Sequence, residues 1–260
     1  MCELFGLSSR LPTAATFTLR RFAERGGLEH RLIDGWGIAL ADGTDLRVYR
    51  EPQPARDSPW LAFIESRRMQ TRLLISHVRH ATQGAVALAN TQPFAREIGG
   101  RMHCFAHNGR LEDIEQRYGR MPSRFLPLGE TDSELAACLL FNRMATLWRQ
   151  AHPPPLTHRL EIVARFAEEM RELGPANFLY SDGLTLFAHG DRRIQTDGRI
   201  KPPGLWRLRR RCESDPDALI EAGITLKAGG PAQEIELLAS VALTGEENWR
   251  PLAEGEVIAV

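Results

Sequence analysis

The chain has few cysteines: four in 260 residues, with no C-x-x-C pair, too sparse to frame a disulfide scaffold. Cys2, Cys104, Cys138 and Cys212 are read as thiols in a reducing, cytoplasmic setting. No apolar run approaches the ~20 residues of a membrane-spanning helix. The opening Met1-Cys2-Glu3-Leu4-Phe5-Gly6-Leu7 lacks the basic n-region and long apolar core of a secretory signal, so a lipoprotein role for Cys2 is not expected. Neither charge sign is in excess. The 33 Lys+Arg balance 33 Asp+Glu, which argues against a dedicated nucleic-acid or anionic-membrane binder. Internal repeats and low-complexity segments are missing as well.

The composition that remains, 43% hydrophobic and 25% charged, is that of a globular protein with a sizeable core. Cys2–Ser8 reads as a strand in which Gly6 permits close backbone approach. Thr16 is expected to cap a short helix over Phe17–Ala23, stopped at Gly26-Gly27. Trp36–Leu40 and Leu46–Tyr49 form a hairpin across Asp42-Gly43. Ser58-Pro59 starts a helix, Leu73–Arg79 is a buried strand, and Met102–Ala106 is another strand running into His107-Asn108-Gly109. A short helix is expected within Leu111–Tyr118. Thr131-x-x-Glu134 fits a capping box at the head of a long helix, whose apolar face is Leu135, Leu139, Met144 and Leu147-Trp148. The proline run after His152 reads as a connection to a second long helix from Thr157 to Gly174, not as a domain linker. Phe178–Tyr180 and Leu184–Ala188 pair across Asp182-Gly183. Leu205–Cys212, rich in arginine, reads as a charge-protected edge strand. Ile235–Leu243 and Glu256–Val260 are the last strands. Strands, then two long helices, then strands suggest an α+β layered fold.

The chemistry centres on Cys2. Removal of Met1 would leave one residue with both a thiol and a free α-amine, the latter of pKa ~7.7–8. Nucleophile and base would then come from a single residue, as in N-terminal threonine enzymes. Asn108-Gly109 reads either as a hairpin turn or as an oxyanion hole, since an amide N–H and a glycine N–H can converge on one oxygen. Arg79, closing a buried strand, is either a structural cation or a bidentate clamp for a carboxylate. Asp132 is either a dipole partner in the first turn of a helix or a seat for an ammonium. Together Arg79 and Asp132 would take an amino acid's head group. Asp34-Gly35-Trp36-Gly37 offers a tight turn or a backbone surface for a small ligand. His77-x-x-His80 and His103-x-x-x-His107 have ligand-like spacing, but His77 and His80 would face opposite sides of a strand, and no metal is expected.

The pieces Met1-Cys2-Glu3-Leu4-Phe5-Gly6, Gly35-Trp36-Gly37, Ser76–Gly84, Asn90–Phe94, His107-Asn108-Gly109, Gly129–Glu134 and Val241–Trp249 occur in one order. In that order the chain resembles the class II, N-terminal-nucleophile, glutamine amidotransferases. The resemblance implies a single amidotransferase domain over 2–260 with the four-layer αββα N-terminal-nucleophile hydrolase fold, two antiparallel sheets between helical layers. It also implies roles: Cys2 as nucleophile, Asn108 and Gly109 as oxyanion hole, Arg79 on the α-carboxylate of glutamine, Asp132 on its α-ammonium, and Thr82 as a further substrate contact. No cofactor is implied. His80, Gln83 and Gln92-Pro93-Phe94 depart from the glucosamine-phosphate synthase branch and look like the small stand-alone branch. The expected substrate is glutamine, with another γ-glutamyl amide as the alternative or a non-catalytic binder beyond that. Released ammonia goes either to a separate synthetase partner or to solution.

Overall fold

A computed structural model describes residues 2–17, 34–55, 58–67, 69–80, 84–119, 123–148, 152–212, 224–228, 233–243 and 248–260. Its elements in chain order are β1 (Glu3–Phe17), β2 (Gly35–Asp42), β3 (Asp45–Glu51), α1 (Pro59–Ser66), β4 (Gln70–Arg79), β5 (Phe94–Ile98) and β6 (Arg101–Gly109). The helices α2 (Ile114–Tyr118), α3 (Asp132–Leu147) and α4 (Leu156–Arg171) follow. The chain closes with β7 (Ala176–Ser181), β8 (Leu186–Gly190), β9 (Arg193–Ile194), β10 (Ile200–Lys201), β11 (Trp206–Cys212), β12 (Ile224–Ala228), β13 (Gln233–Ala239), β14 (Arg250–Pro251) and β15 (Glu256–Ala259).

An eight-stranded sheet runs β14-β11-β13-β1-β4-β2-β3, with β12 added to the far end of β1, and a five-stranded sheet runs β15-β8-β7-β6-β5. Every pairing within them is antiparallel. Side-chain alternation sorts each strand onto two faces. From β1, Leu4 joins Ile75, Cys104, Ala106, Leu179, Leu186 and Leu238 between the sheets. Phe5 and Leu7 point the other way and pack with Trp36, Leu237 and the α1 residues Leu61 and Ile64. On the outer face of the small sheet, Phe105, Phe178 and Tyr180 pack under Phe141 of α3 and Phe166 of α4. The layers are therefore helix, sheet, sheet, helix, the αββα arrangement that the resemblance implies. A Cβ at Gly6 would stand 3.1 Å from methyls of both Leu179 and Leu186, so the glycine lets the two sheets approach closely.

The local signals hold in most places. Ser58 Oγ accepts the Leu61 N–H at 3.0 Å and Pro59 occupies the first helical position of α1. Thr131 Oγ1 accepts the Glu134 N–H at 3.2 Å at the head of α3. Glu134 does not complete a capping box; its carboxylate accepts instead from Leu128 N–H, Gly129 N–H and Arg96. The deepest face of α3 is Ala136, Ala137, Leu140, Phe141 and Met144; of the expected apolar face, Leu139, Met144 and Trp148 are buried in the same core, while Leu135 and Leu147 pack at its edge half-buried. The expected Phe17–Ala23 helix lies outside the described residues after its first position, and Thr16 and Phe17 are strand residues paired with Thr225 and Ile224. Asn108-Gly109 is no hairpin turn: both residues continue β6 and pair with Asn177 and Ala176. The Gly35-Trp36-Gly37 turn reading also fails, because these residues form the start of β2. A Cβ at Gly37 would run into the Gln92 carbonyl oxygen, so this glycine lets the segment before β5 lie on the strand.

Gly37→Ala forces a main-chain carbonyl to move. We expect it to cost about 1–3 kcal/mol, the range for overpacking, seen as a lower urea midpoint with an unchanged m-value.

Candidate active site around Cys2

Cys2 immediately precedes β1, in alternation with the inward-facing Leu4. Asn108 alternates in the same way with Cys104 and Ala106 on β6. The two residues therefore reach each other across the gap between the sheets. Asn108 Nδ2 donates to the Cys2 carbonyl oxygen at 2.5 Å. On the other side, the end of β4 brackets the sulfur: His80 N–H donates to Cys2 Sγ at 3.3 Å and the thiol donates to His80 O at 3.5 Å. Burial pushes the thiol pKa up; the His80 N–H bond opposes this, and Arg79 lowers the pKa while Glu3 raises it. The thiol is the resting form on these grounds, and a nearby base is required to ionise it.

Asn108 is held on every side. Its main-chain oxygen accepts from Asn177 Nδ2 at 3.1 Å, and the same Asn177 amide donates to Arg192 O at 2.8 Å and accepts from Asp191 N–H at 2.7 Å. The residue before it is fixed by Gln92, which donates through Nε2 to His107 O at 3.1 Å and accepts the His107 N–H at 2.6 Å. Gly109 has no room for a side chain, because a Cβ would fall 2.8 Å from His107 Nε2 and against the Pro175 carbonyl. Asn108 Nδ2 also lies 3.5 Å from Ser240 Oγ, which accepts the Leu4 N–H at 2.9 Å. Arg193 donates to Ser240 O and, at 2.7 Å, to Glu3 Oε1. Burial raises the Glu3 carboxyl pKa, opposed by the Arg193 charge and by hydrogen bonds from Arg193 and Ser240.

Cys2, Asn108 and Gly109 line one cavity of about 580 Å³, to whose lining Leu173, Ile194 and Ile200 contribute apolar surface. The structure thus brings these three expected residues together. Arg79 and Asp132 do not line that cavity. Arg79, 3% exposed, donates to Gly84 O and Ala85 O at 3.1 Å each and so closes the loop beyond β4. Asp132 accepts the Leu111 N–H at 2.8 Å and the Ser133 N–H at 2.7 Å, and it lines a separate cavity of about 460 Å³ beside α3. Thr82 lies outside the described residues. Asn177, Arg193, Ser240 and Glu3 were not singled out from sequence. An acidic residue, Glu3, directly ahead of the apolar run Leu4-Phe5-Gly6-Leu7 is the one local sign that could have drawn attention.

His77, His103, His107 and His189 are buried, and burial favours their neutral form. Desolvation lowers the pKa of His77 and His103 to about 3 and of His189 to about 4, and lowers that of His107 as well. His103 Nδ1 meets Tyr180 Oη at 2.6 Å and His107 Nδ1 meets Ser133 Oγ at 2.9 Å, so these rings serve the core. Among the described residues no three or more His, Cys, Asp or Glu side chains lie together as a metal cluster. Among the same residues no helix is long and apolar enough to cross a membrane.

Two antiparallel sheets face to face, with a cysteine at the lip of a central strand, define an N-terminal-nucleophile hydrolase fold. Within it, the chain belongs to the class II glutamine amidotransferases, whose family model matches residues 1–260. It is 32% identical over 256 residues to YafJ of Escherichia coli K12, covering 98% of this chain and 96% of that one. It is similar to the crystal structure of a predicted glutamine amidotransferase from Pseudomonas aeruginosa, with TM-score 0.72 and 32% identity over 99% of this chain and 96% of the other. A glutamine phosphoribosylpyrophosphate amidotransferase from Bacillus subtilis shares the fold, at TM-score 0.52 and 19% identity, over 92% of this chain and 42% of its own.

The neutral histidines set an acid limit on the fold. His77, His103 and His189 have folded pKa values below the unfolded 6.5, so their contribution is present above pH 6.5 and is lost as pH falls towards 4 and 3. We expect unfolding free energy to fall between pH 6.5 and 4 by about 1 kcal/mol per pH unit per histidine, and His77→Leu to flatten that slope in urea titrations.

Proposed function

We propose that this protein hydrolyses the side-chain amide of glutamine through a γ-glutamyl thioester on Cys2, as a single domain over residues 2–260. Family membership supports glutamine as substrate. The observation that carries the assignment to residues is the Asn108 carboxamide bonded at 2.5 Å to the main chain of Cys2, with both residues on one cavity.

The steps follow from the groups present. With Met1 removed, the α-amine of Cys2 takes the thiol proton, and the thiolate attacks the amide carbon. The carbonyl π electrons move to oxygen, and that oxyanion is received by Asn108 Nδ2–H and the Gly109 N–H. The α-ammonium returns its proton to the departing nitrogen, the C–N bond breaks and ammonia leaves. Water, deprotonated by the α-amine, then attacks the thioester and releases glutamate and the thiol. Arg79 would hold the α-carboxylate and Asp132 the α-ammonium, with Thr82 as a third contact. For the first two, the loop bonded to Arg79 and the Leu111 N–H bonded to Asp132 have to yield on binding. The ammonia passes to a separate synthetase partner or is released.

The test is mass spectrometry on protein treated with a diazo-ketone analogue of glutamine. The expected result is an unmodified mass lacking Met1 and a single adduct at Cys2 that disappears in Cys2→Ala. An adduct that persists in Cys2→Ala would falsify the assignment. Asn108→Ala is expected to lower kcat about 10²–10³-fold, the usual loss for one oxyanion donor, with a small change in KM.

A further inference from the structure

The two donors given to the oxyanion hole, one side-chain amide and one main-chain N–H, are both aimed by the backbone of Asn108. The Gly109 N–H and the Asn108 carbonyl are opposite ends of one planar trans peptide, so neither turns without the other. Asn108 has only two soft backbone dihedrals, so the planes of the peptides on either side of it also fix where its side chain leaves the chain. Both peptides lie at the end of the sheet: the pairing of β6 with β5 stops at Phe105, and that with β7 stops at Gly109 and Ala176.

Two buried carboxamides take over there, one from each side. Gln92, 5% exposed, receives the His107 N–H at 2.6 Å and donates to His107 O at 3.1 Å, which fixes the peptide leading into Asn108. Asn177, with no exposed surface, donates to Asn108 O at 3.1 Å, which fixes the peptide leading out. The Asn177 carboxamide has one orientation only. Nδ2 also donates to Arg192 O at 2.8 Å, and Oδ1 receives the Asp191 N–H at 2.7 Å. Turned over, it would set an oxygen against two carbonyls and an NH2 group against an N–H. A Cβ at Gly204 would run into Asn177 Oδ1, so that glycine lets the segment before β11 close over the carboxamide. Asp191 is anchored in turn: its carboxylate accepts from Arg171 Nε at 3.0 Å and from the N–H of Ala176, the register partner of Gly109, at 3.2 Å.

We propose that Gln92 and Asn177 are positioning residues for the oxyanion hole: by holding the peptides before and after Asn108, they turn the Asn108 carboxamide and the Gly109 N–H onto one oxygen of a substrate bound at Cys2. This rests on the hydrolytic role given to Cys2, Asn108 and Gly109 above. An oxyanion hole works because its donors are aimed before charge develops, and a peptide at the last rung of a ladder keeps that aim only if something else holds it. Asn177 acts through Asn108 and not on the substrate, because both of its N–H groups are already engaged with main-chain oxygens.

The experiment compares Asn177→Ala and Gln92→Ala with the wild type, measuring kcat and KM for glutamine, thermal midpoints, and inhibition by two ligands. One is an aldehyde analogue of glutamine. The Cys2 sulfur bonds to its carbonyl carbon, the π pair moves to oxygen and the thiol proton goes to the α-amine, so the adduct places an oxyanion in the hole. The other is glutamate, which forms no adduct. Each substitution is expected to lower kcat at least about tenfold, short of the full loss for deleting an oxyanion donor, and to change KM less than about threefold. Aldehyde affinity should fall by the same factor as kcat, while glutamate affinity holds. Wild-type kcat in both variants would overturn the proposal. So would an aldehyde affinity that does not follow kcat, or one that falls together with glutamate affinity. Loss of the folded state in both variants, seen as absent thermal transitions, would overturn it too, by making these carboxamides a requirement of the fold alone. If the wild-type protein forms no aldehyde adduct at Cys2, the hydrolytic reading falls first and the positioning role falls with it. A wild type that forms the adduct, with both variants matching it, removes the positioning role alone.

Discussion

The hydrogen bond from the Asn108 carboxamide to the carbonyl of Cys2 is the contact on which the rest of the site depends. It joins residues 106 positions apart in the chain. It also joins the two sheets, one through β1 and the other through β6. Everything beneath it, from Leu4 and Gly6 to Leu179 and Leu186, sets the spacing that makes this single contact reachable. Sheet packing and the oxyanion geometry proposed for Asn108 are in this sense one constraint.

The electrostatic design is similarly spread over distant elements. Glu3, Asp182 and Asp191 are buried carboxylates, held by Arg193, Arg159 and Arg171 respectively. In each pair the arginine sits on a different element from its carboxylate, two of them on α4 and one on β9, so the pairs tie separate parts of the chain together. Charges left unpaired at such depth would be costly, and a paired arrangement makes position matter more than strength. The zero net charge of the chain says nothing of this pattern; it emerges only once the sheets bring the partners together.

Much of the layered fold was legible because its signals are local. The Asp42-Gly43 and Asp182-Gly183 hairpins, the Ser58-Pro59 helix start and the Thr131 cap are all written within a few residues, and all are present. β5 was not legible: Phe94 and Ile98 stand four apart with Arg96 and Glu97 between them, a spacing that suits a helix, and only pairing with β6 makes the segment a strand. Asn108-Gly109 shows the reverse failing. Its strongest local meaning is a turn, yet the pairing with Asn177 and Ala176 keeps it extended. In the site, Cys2, Asn108 and Gly109 were legible through family motifs, whereas Ser240, Arg193 and Asn177 act through contacts 69 to 236 residues long and leave no local trace.

The bracket formed by the His80 main chain around the Cys2 sulfur carries one more implication. Because both contacts are backbone atoms just past β4, replacements at position 80 other than proline, which has no N–H, keep both groups in the chain. The seat of the sulfur is thus insulated from sequence drift at that position. The imidazole itself turns to Asp34, 3.6 Å from its carboxylate, so the ring and the main chain of this one residue serve two different neighbours.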